Sequence, residues 1–333
     1  METQKWSPAT LLQLSGGYWS SCALHAGVKL DIFTALSDEG ATAAELAKKL
    51  DLNLRGLGML LDALASLNLL EKSGDLYQST PFAVEFLSHN SPAYLGYIIQ
   101  HHHHLMAGWN LLDEAVRNGQ PVRSRVSHAD DDKVRECFEM GMFNLAMMVA
   151  PKIVPHLDLA GRKKLLDLGG GPGTYAVHFC RHYQQLAAVV YDLPTTRKFA
   201  EQTIARFGLE QRVTFEDGDF MAGAVLGSFD AAWLSHILHG EGPKECAQLL
   251  KKVVAALEPG GVLMVQEFIL NNSKDAPVFP ALFSLNMLIG TESGQAYSEG
   301  ELLEMMATAG LVDLKRLDID LPNGAGILTG KVP

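Results

Sequence analysis

The chain has 333 residues, 47% of them hydrophobic and 20% charged, with 27 Lys and Arg against 38 Asp and Glu for a formal charge of −11. That length suits two domains of ordinary size, and the apolar fraction excludes a disordered chain. So acidic a balance argues against charge-driven binding to nucleic acid or to a membrane face. The four cysteines, Cys22, Cys137, Cys180 and Cys246, are scattered and lack metal-ligand spacing. They argue against a disulfide framework or structural zinc and fit a reducing compartment. No stretch reads as a membrane span and the start does not read as a secretion signal. The expectation is a soluble cytoplasmic protein without a metal centre.

From Leu11 to about Leu112 the apolar residues recur at the helical spacing of three and four. Thr42 and Glu45 form a capping box that opens a short helix, Ala43–Leu50. A second helix is expected over Leu54–Leu69, with Leu57, Leu60, Leu61, Leu64 and Leu67 on one face. A hairpin turned at Ser73-Gly74 follows it. Helix, helix, hairpin is a winged-helix pattern, which often reads DNA. The second helix offers only Arg55 to phosphates, so its leucine face is expected to bury against another helix, from a second copy of the chain. A long helix is expected over Asp131–Leu157, with Val134, Phe138, Met142, Leu145, Val149 and Ile153 on one face and a break at Pro151 and Pro155. The histidines His101 to His104 are internal. Successive helical residues point about 100° apart, so the four cannot converge on one metal. Beyond Arg162 the texture changes. Short apolar runs at Lys164–Leu168, Ala187–Tyr191, Arg212–Phe215, Ala231–Leu234 and Val262–Glu267 alternate with helical stretches. That alternation specifies a mostly parallel α/β sheet, closed by an antiparallel hairpin of Asp313–Asp320 and Gly326–Lys331. The expected division is a dimerisation domain over 1–105, a helical connector over 106–157 that contributes to the substrate pocket, and a cofactor-binding domain over 158–333.

The strongest chemical signal is Asp167-Leu168-Gly169-Gly170-Gly171-Pro172-Gly173, after a strand and opening a helix. Gly169, Gly171 and Gly173 let the backbone turn tightly and a ligand lie against it. The last glycine spacing is one residue where a dinucleotide fingerprint has two, and Asp167 would repel a pyrophosphate. A cationic cofactor without phosphate suits this loop, which describes S-adenosylmethionine. Asp192, at the end of the second strand, can accept from both ribose hydroxyls. Asp219 follows the third strand, where it can meet the adenine amino group while Phe220 covers the ring. Three carboxylates at successive strand ends match the place where open α/β sheets bind ligands.

In Leu166–Gly173, Tyr191-Asp-Leu-Pro194, Gly218-Asp-Phe220, Ile237-Leu-His239 and Pro259-Gly-Gly261 the chain resembles a family of S-adenosylmethionine-dependent O-methyltransferases. Plant caffeic acid, bacterial polyketide and animal hydroxyindole O-methyltransferases typify it. The resemblance covers nearly the whole chain. It implies a Rossmann-like catalytic domain, a homodimer through the N-terminal winged-helix domain, a small aromatic substrate and S-adenosylhomocysteine as product. It implies Gly169, Asp192, Asp219 and Phe220 as cofactor contacts, and Asp167, Gly171, Gly173, Leu193 and Ser235 complete the expected cofactor-binding set.

By the same resemblance His239 is the general base and Glu267 the carboxylate that orients it. A phenol near pKa ~10 and an imidazole near ~6.5 differ by about 3.5 units, roughly 5 kcal/mol, so orientation and positioning must assist. The family's His is followed by Asp and Trp, where this chain has Gly240 and Glu241. A second catalytic Glu of plant members falls near Ala296, with Glu292 and Glu299 as the nearest carboxylates. His236, Phe143, Met147, Phe283 and Met287 are the expected substrate contacts. Two other readings fit the same residues. One is methyl transfer to nitrogen or carbon with His239 only positioning substrate, and the other is a regulatory protein that holds the cofactor as ligand without binding DNA.

Overall fold

A computed structural model describes residues 5–128, 131–225 and 227–333. The chain divides into two compact units, Met1–Leu105 and Met106–Pro333.

The first unit is built as its sequence signals demand. Thr42 Oγ1 accepts from the Glu45 N–H, and Glu45 Oε2 accepts from the Thr42 N–H at 2.8 Å, which starts helix Ala43–Leu50. The next helix, Leu54–Ser66, is capped by Asn53. It stops short of the expected Leu69 because Asn68 takes a left-handed φ of 58°. Leu57, Leu61 and Leu64 are buried, while Leu67 lies beyond the helix end and is exposed. Strands β1 (Ala41–Thr42), β2 (Leu70–Ser73) and β3 (Leu76–Ser79) form a small antiparallel sheet in the order β1-β3-β2. The β2–β3 turn is Gly74-Asp75, one residue later than expected, since Ser73 pairs with Leu76. The leucine face of Leu54–Ser66 is consumed by this unit's own core, with Val28, Ile32, Phe33 and Tyr77. Exposed apolar side chains concentrate on helix Pro8–Gly16 and beside it, at Trp6, Leu11, Leu12, Leu14 and Trp19, with others at Leu54, Met59, Leu76 and Phe82.

The second unit carries strands β4 (Lys164–Leu168), β5 (Ala187–Asp192), β6 (Val213–Asp217), β7 (Phe229–Ser235), β8 (Leu257–Leu270), β9 (Tyr297–Ser298), β10 (Val312–Arg316) and β11 (Ala325–Lys331). The main sheet runs β10-β11-β8-β7-β4-β5-β6. Pairs among β4 to β8 are parallel, and β11 is antiparallel to both β8 and β10. β8 is longer than the expected Val262–Glu267: Leu257 pairs with Phe229 of β7, Phe268 with Ala325 of β11, and Ile269 and Leu270 with β9. One face of the sheet is covered by helices Thr174–His182 and Arg197–Arg206 and the end of helix Asp132–Ile153, around Phe179, Val190 and Trp233. The other is covered by Pro243–Ala256 and Glu299–Thr308, around Leu166, Leu234 and Leu250. The layered α/β fold with an antiparallel closing hairpin is as the sequence specifies.

The long helix departs from expectation twice. It runs through Pro151 to Ile153 and only then tightens into a 3-10 turn, Val154–His156. Its buried seam is also rotated from the expected one. Cys137, Glu139, Gly141, Phe143, Asn144, Ala150 and Ile153 are buried, whereas Val134, Phe138, Met142, Leu145 and Val149 are half-buried. The segment Asp132–His156 is long and apolar enough to span a membrane, but half of its most apolar window is buried inside the unit.

Candidate functional site

The ends of β4, β5, β7 and β8 gather the chemistry. After β4 the chain turns through Gly169, Gly171 and Gly173 at φ of 64°, 53° and 72°, a region that costs other residues strain. A side chain at Gly169 would also collide with Ile237, and Phe220 Cε1 lies 3.3 Å from where its Cβ would be. Phe220 therefore sits at the first glycine, as a ring cover would. The Gly171 N–H donates to Asp192 Oδ2 at 2.8 Å, and the Leu193 N–H to Asp192 Oδ1 at 2.6 Å. Asp192 thus bridges the end of β5 to the glycine loop. Asp219 is exposed and its Oδ1 accepts from the N–H groups of Met221 and Ala222, fixing the turn that carries Phe220. Ser235 ends β7 opposite Gln266.

Asp167 has a different position from its neighbours. It is 1% exposed, and Oδ2 accepts from the Ala176 N–H in the first turn of the following helix. Burial pushes its carboxyl up to about 7, against that hydrogen bond and with help from the Asp192 charge. A carboxyl so placed shapes the loop from beneath, and its raised pKa reduces the charge it sets against a phosphate.

One contributor escaped the sequence reading. Glu139, on helix Asp132–Ile153, is 3% exposed. Its Oε1 accepts from the Thr196 hydroxyl at 3.1 Å, and Oε2 lies 3.6 Å from the point a Gly171 Cβ would occupy. Oε2 is buried and has no hydrogen-bond partner among the described residues. Burial and the nearby Asp192 charge push this carboxyl up to about 8, with Thr196 and Arg135 opposing. The only sequence trace of it is an acid inside an otherwise apolar run, Cys137 to Phe143. The open glycine loop, Asp192 and an unsatisfied buried carboxylate oxygen together fit a ligand with positive charge and hydroxyl donors, which S-adenosylmethionine has.

The second cluster follows β7. His236 adopts φ 59°, rare for a non-glycine residue, and its N–H donates to the Gln266 carbonyl at 2.8 Å. That turn delivers His239, in the 3-10 turn Leu238–Gly240, onto Glu267 of β8. His239 Nδ1 lies 2.8 Å from Glu267 Oε2, and the His239 N–H donates to Oε1 at 3.3 Å. His236 Nδ1 is 3.7 Å from the same Oε2. Burial works to raise Glu267, but the charge and hydrogen bonds of the two imidazoles outweigh it and hold the group well below the usual carboxylate range. The ligand atoms of His236, His239 and Glu267 lie within 4.8 Å of one another, a set that could take a metal ion. The His239–Glu267 hydrogen bond accounts for the closest pair without one. Phe283 meets the His239 ring edge-on at 4.8 Å, and Phe268 and Phe279 extend an aromatic wall beside it.

The expected substrate contacts separate. His236 and Phe283 lie with His239, and Met287 is buried on the Phe283 helix. Phe143 and Met147 point elsewhere: Arg206 stacks over the Phe143 ring at 5.4 Å, and Met147 Sδ is 3.4 Å from His178 Nε2. The rotated seam of the long helix carries them toward the helices on one face of the sheet. Near Ala296, Glu292 is exposed and Glu299 is held by Arg316 at 2.9 Å. Where the family has Asp and Trp, Glu241 pairs with Arg125 at 2.6 Å, and Arg125 also donates to the Gly240 carbonyl.

An O-methyltransferase domain matches residues 109–312, and an O-methyltransferase dimerisation domain matches residues 12–89. The chain is 30% identical to a 3-hydroxy-5-methyl-1-naphthoate 3-O-methyltransferase of Streptomyces sahachiroi, over 97% of this chain and 95% of that one. It is 31% identical to the N,N-dimethyltransferase OxyT of Streptomyces rimosus, over 87% of each. The structure of PigF, from a Serratia strain, with S-adenosylhomocysteine superposes at a TM-score of 0.91 with 26% identity, over 98% of this chain and all of that one.

Proposed function

The chain belongs to the S-adenosylmethionine-dependent O-methyltransferase family, and we propose that it methylates a hydroxyl group of a small aromatic metabolite with His239 as general base. The observation that carries this reading is the 2.8 Å contact between His239 Nδ1 and the buried Glu267 carboxylate. Glu267 accepts the Nδ1 proton, which fixes the tautomer and leaves Nε2 to take a proton from substrate. Because Glu267 stays ionised, it also stabilises the imidazolium that results. Phe268, Phe279 and Phe283 supply flat apolar surface for a ring beside that nitrogen. Gly169, Gly171, Gly173, Asp192, Leu193, Asp219, Phe220 and Ser235 hold the cofactor, with Asp167 bracing the loop from below. Bound there, S-adenosylmethionine supplies a methyl group on positively charged sulfur.

The naphthoate relative is named for methylation of a ring hydroxyl, which favours oxygen as acceptor. The OxyT relative is named for N,N-dimethylation, so transfer to nitrogen with His239 only positioning substrate is the second reading. Methyl-deuterated S-adenosylmethionine, offered with phenols, amines and carbon acids and read by mass spectrometry, separates the two. A labelled phenol ether that falls by ~100-fold or more in His239→Ala supports the base, within the range of general-base catalysis. A labelled amine or carbon product that the variant barely changes supports the second reading. The dimerisation match and the exposed Leu11, Leu12, Leu14 and Trp19 support a homodimer through the N-terminal unit. Light scattering on Leu12→Glu/Trp19→Glu, compared with the parent, tests it, and an unchanged mass would count against this surface.

A further inference from the structure

Glu139 brings a buried oxygen without a hydrogen-bond partner among the described residues to the glycine-loop site. Its Oε1 is held by Thr196, while Oε2 is buried, unpartnered among the described residues and aimed at Gly171 of the glycine loop. A buried carboxylate oxygen without a donor is costly unless the group carries a proton or a cation arrives. Every neighbour bears on that choice. Asp192, from the end of β5, presents like charge, and Asp167, beneath the loop, adds to the acidity around Asp192. Arg135, one turn earlier on the same helix, and the Thr196 hydroxyl favour the ionised form, but they do not prevail.

We propose that Glu139 is a cofactor-binding carboxyl group that sheds its proton when S-adenosylmethionine seats, so that the cofactor's positive charge replaces the proton's in this carboxylate cluster. The inference rests on the cofactor site described above. The charge balances, because the cofactor brings one net positive charge and one proton leaves to solvent. In the free protein the carboxyl holds its proton up to about pH 8. Cofactor binding then competes with protonation below that pH and strengthens as pH rises toward it.

Calorimetric titration of the full-length protein with S-adenosylmethionine, in two buffers of different ionisation enthalpy between pH 6 and 8, counts the protons released. The parent protein is expected to release close to one proton more than Glu139→Gln near pH 7. Its Kd is expected to tighten by up to about tenfold per pH unit, a slope the variant lacks. The cofactor's own amino group titrates in the same range, but it contributes equally to both proteins and cancels in the difference. Equal proton release and equal pH slopes overturn the inference. Thr196→Val gives a second test that leaves Glu139 in place: without the hydroxyl donor the pH profile moves upward, and an unmoved profile overturns the inference even if Glu139→Gln fails to fold. A parent protein that binds no cofactor at any pH would sink the cofactor reading itself. Cofactor bound without a Glu139-dependent proton sinks only this step.

Discussion

Glu267 and Glu139 are almost equally hidden, 2% and 3% exposed, and both serve the ligand end of one sheet. Their charge states are opposite. Glu267 meets two imidazoles and stays an anion, whereas Glu139 meets Asp192 and keeps its proton up to about pH 8. Depth of burial disfavours charge in both, so the partner decides the outcome. One acid is equipped to hold a histidine through a proton transfer, and the other to answer an incoming cation.

The largest effect should come from breaking the Glu267 side. Glu267→Gln keeps the shape but removes the charge that stabilises a protonated His239, and kcat is expected to fall on the order of 10-fold or more with KM little changed. A kcat within twofold of the parent would show that His239 does not depend on that charge.

On the Glu139 side the expected effect is on stability and its pH dependence. This carboxyl binds its proton more tightly folded than unfolded. Between the ordinary carboxylate range near ~4.3 and about pH 8 the folded state holds a proton the unfolded chain has released. Its contribution is therefore full at low pH and falls as pH rises through that window. Glu139→Gln should gain on the parent in thermal melting from pH 5 to pH 8, and a gap that stays constant would contradict the assignment.

A third carboxylate sharpens the contrast from between the two. Glu241 has a fixed cation partner in Arg125, which also holds the Gly240 carbonyl behind His239. Arg125→Ala is expected to cost about 1–3 kcal/mol of stability, as loss of a charged hydrogen bond does, with a few-fold loss of kcat. Unchanged melting and turnover would show that this clamp does not position the loop.

The parts of the site carried by backbone signals were legible in the sequence. The glycine spacing after β4, Asp192 at the end of β5 and Phe220 after β6 lie at fixed offsets from strand ends, and the structure places them together around the loop. His239 and Glu267 could be paired only by resemblance, since 28 residues separate them and the β7–β8 register brings them into contact. Glu139 was hidden for a different reason. The apolar periodicity of its helix has two competing seams, and the one chosen from Val134, Phe138 and Met142 leaves Glu139 off the buried face. Phe143 and Met147, expected at the substrate, lie on the same helix and contact Arg206 and His178. An acid on a buried face runs against the pattern that periodicity detects, so only the fold reveals it.

The most direct test of the account is carboxyl ¹³C NMR of the glutamate-labelled, cofactor-free protein across pH 3–10, with Glu139→Gln and Glu267→Gln identifying the two resonances. The account predicts a Glu139 signal that titrates near pH 8 and a Glu267 signal that remains that of a carboxylate throughout the ordinary range. Two signals that titrate together near pH 4 would show that the partners do not set the charge of either group, and would contradict it.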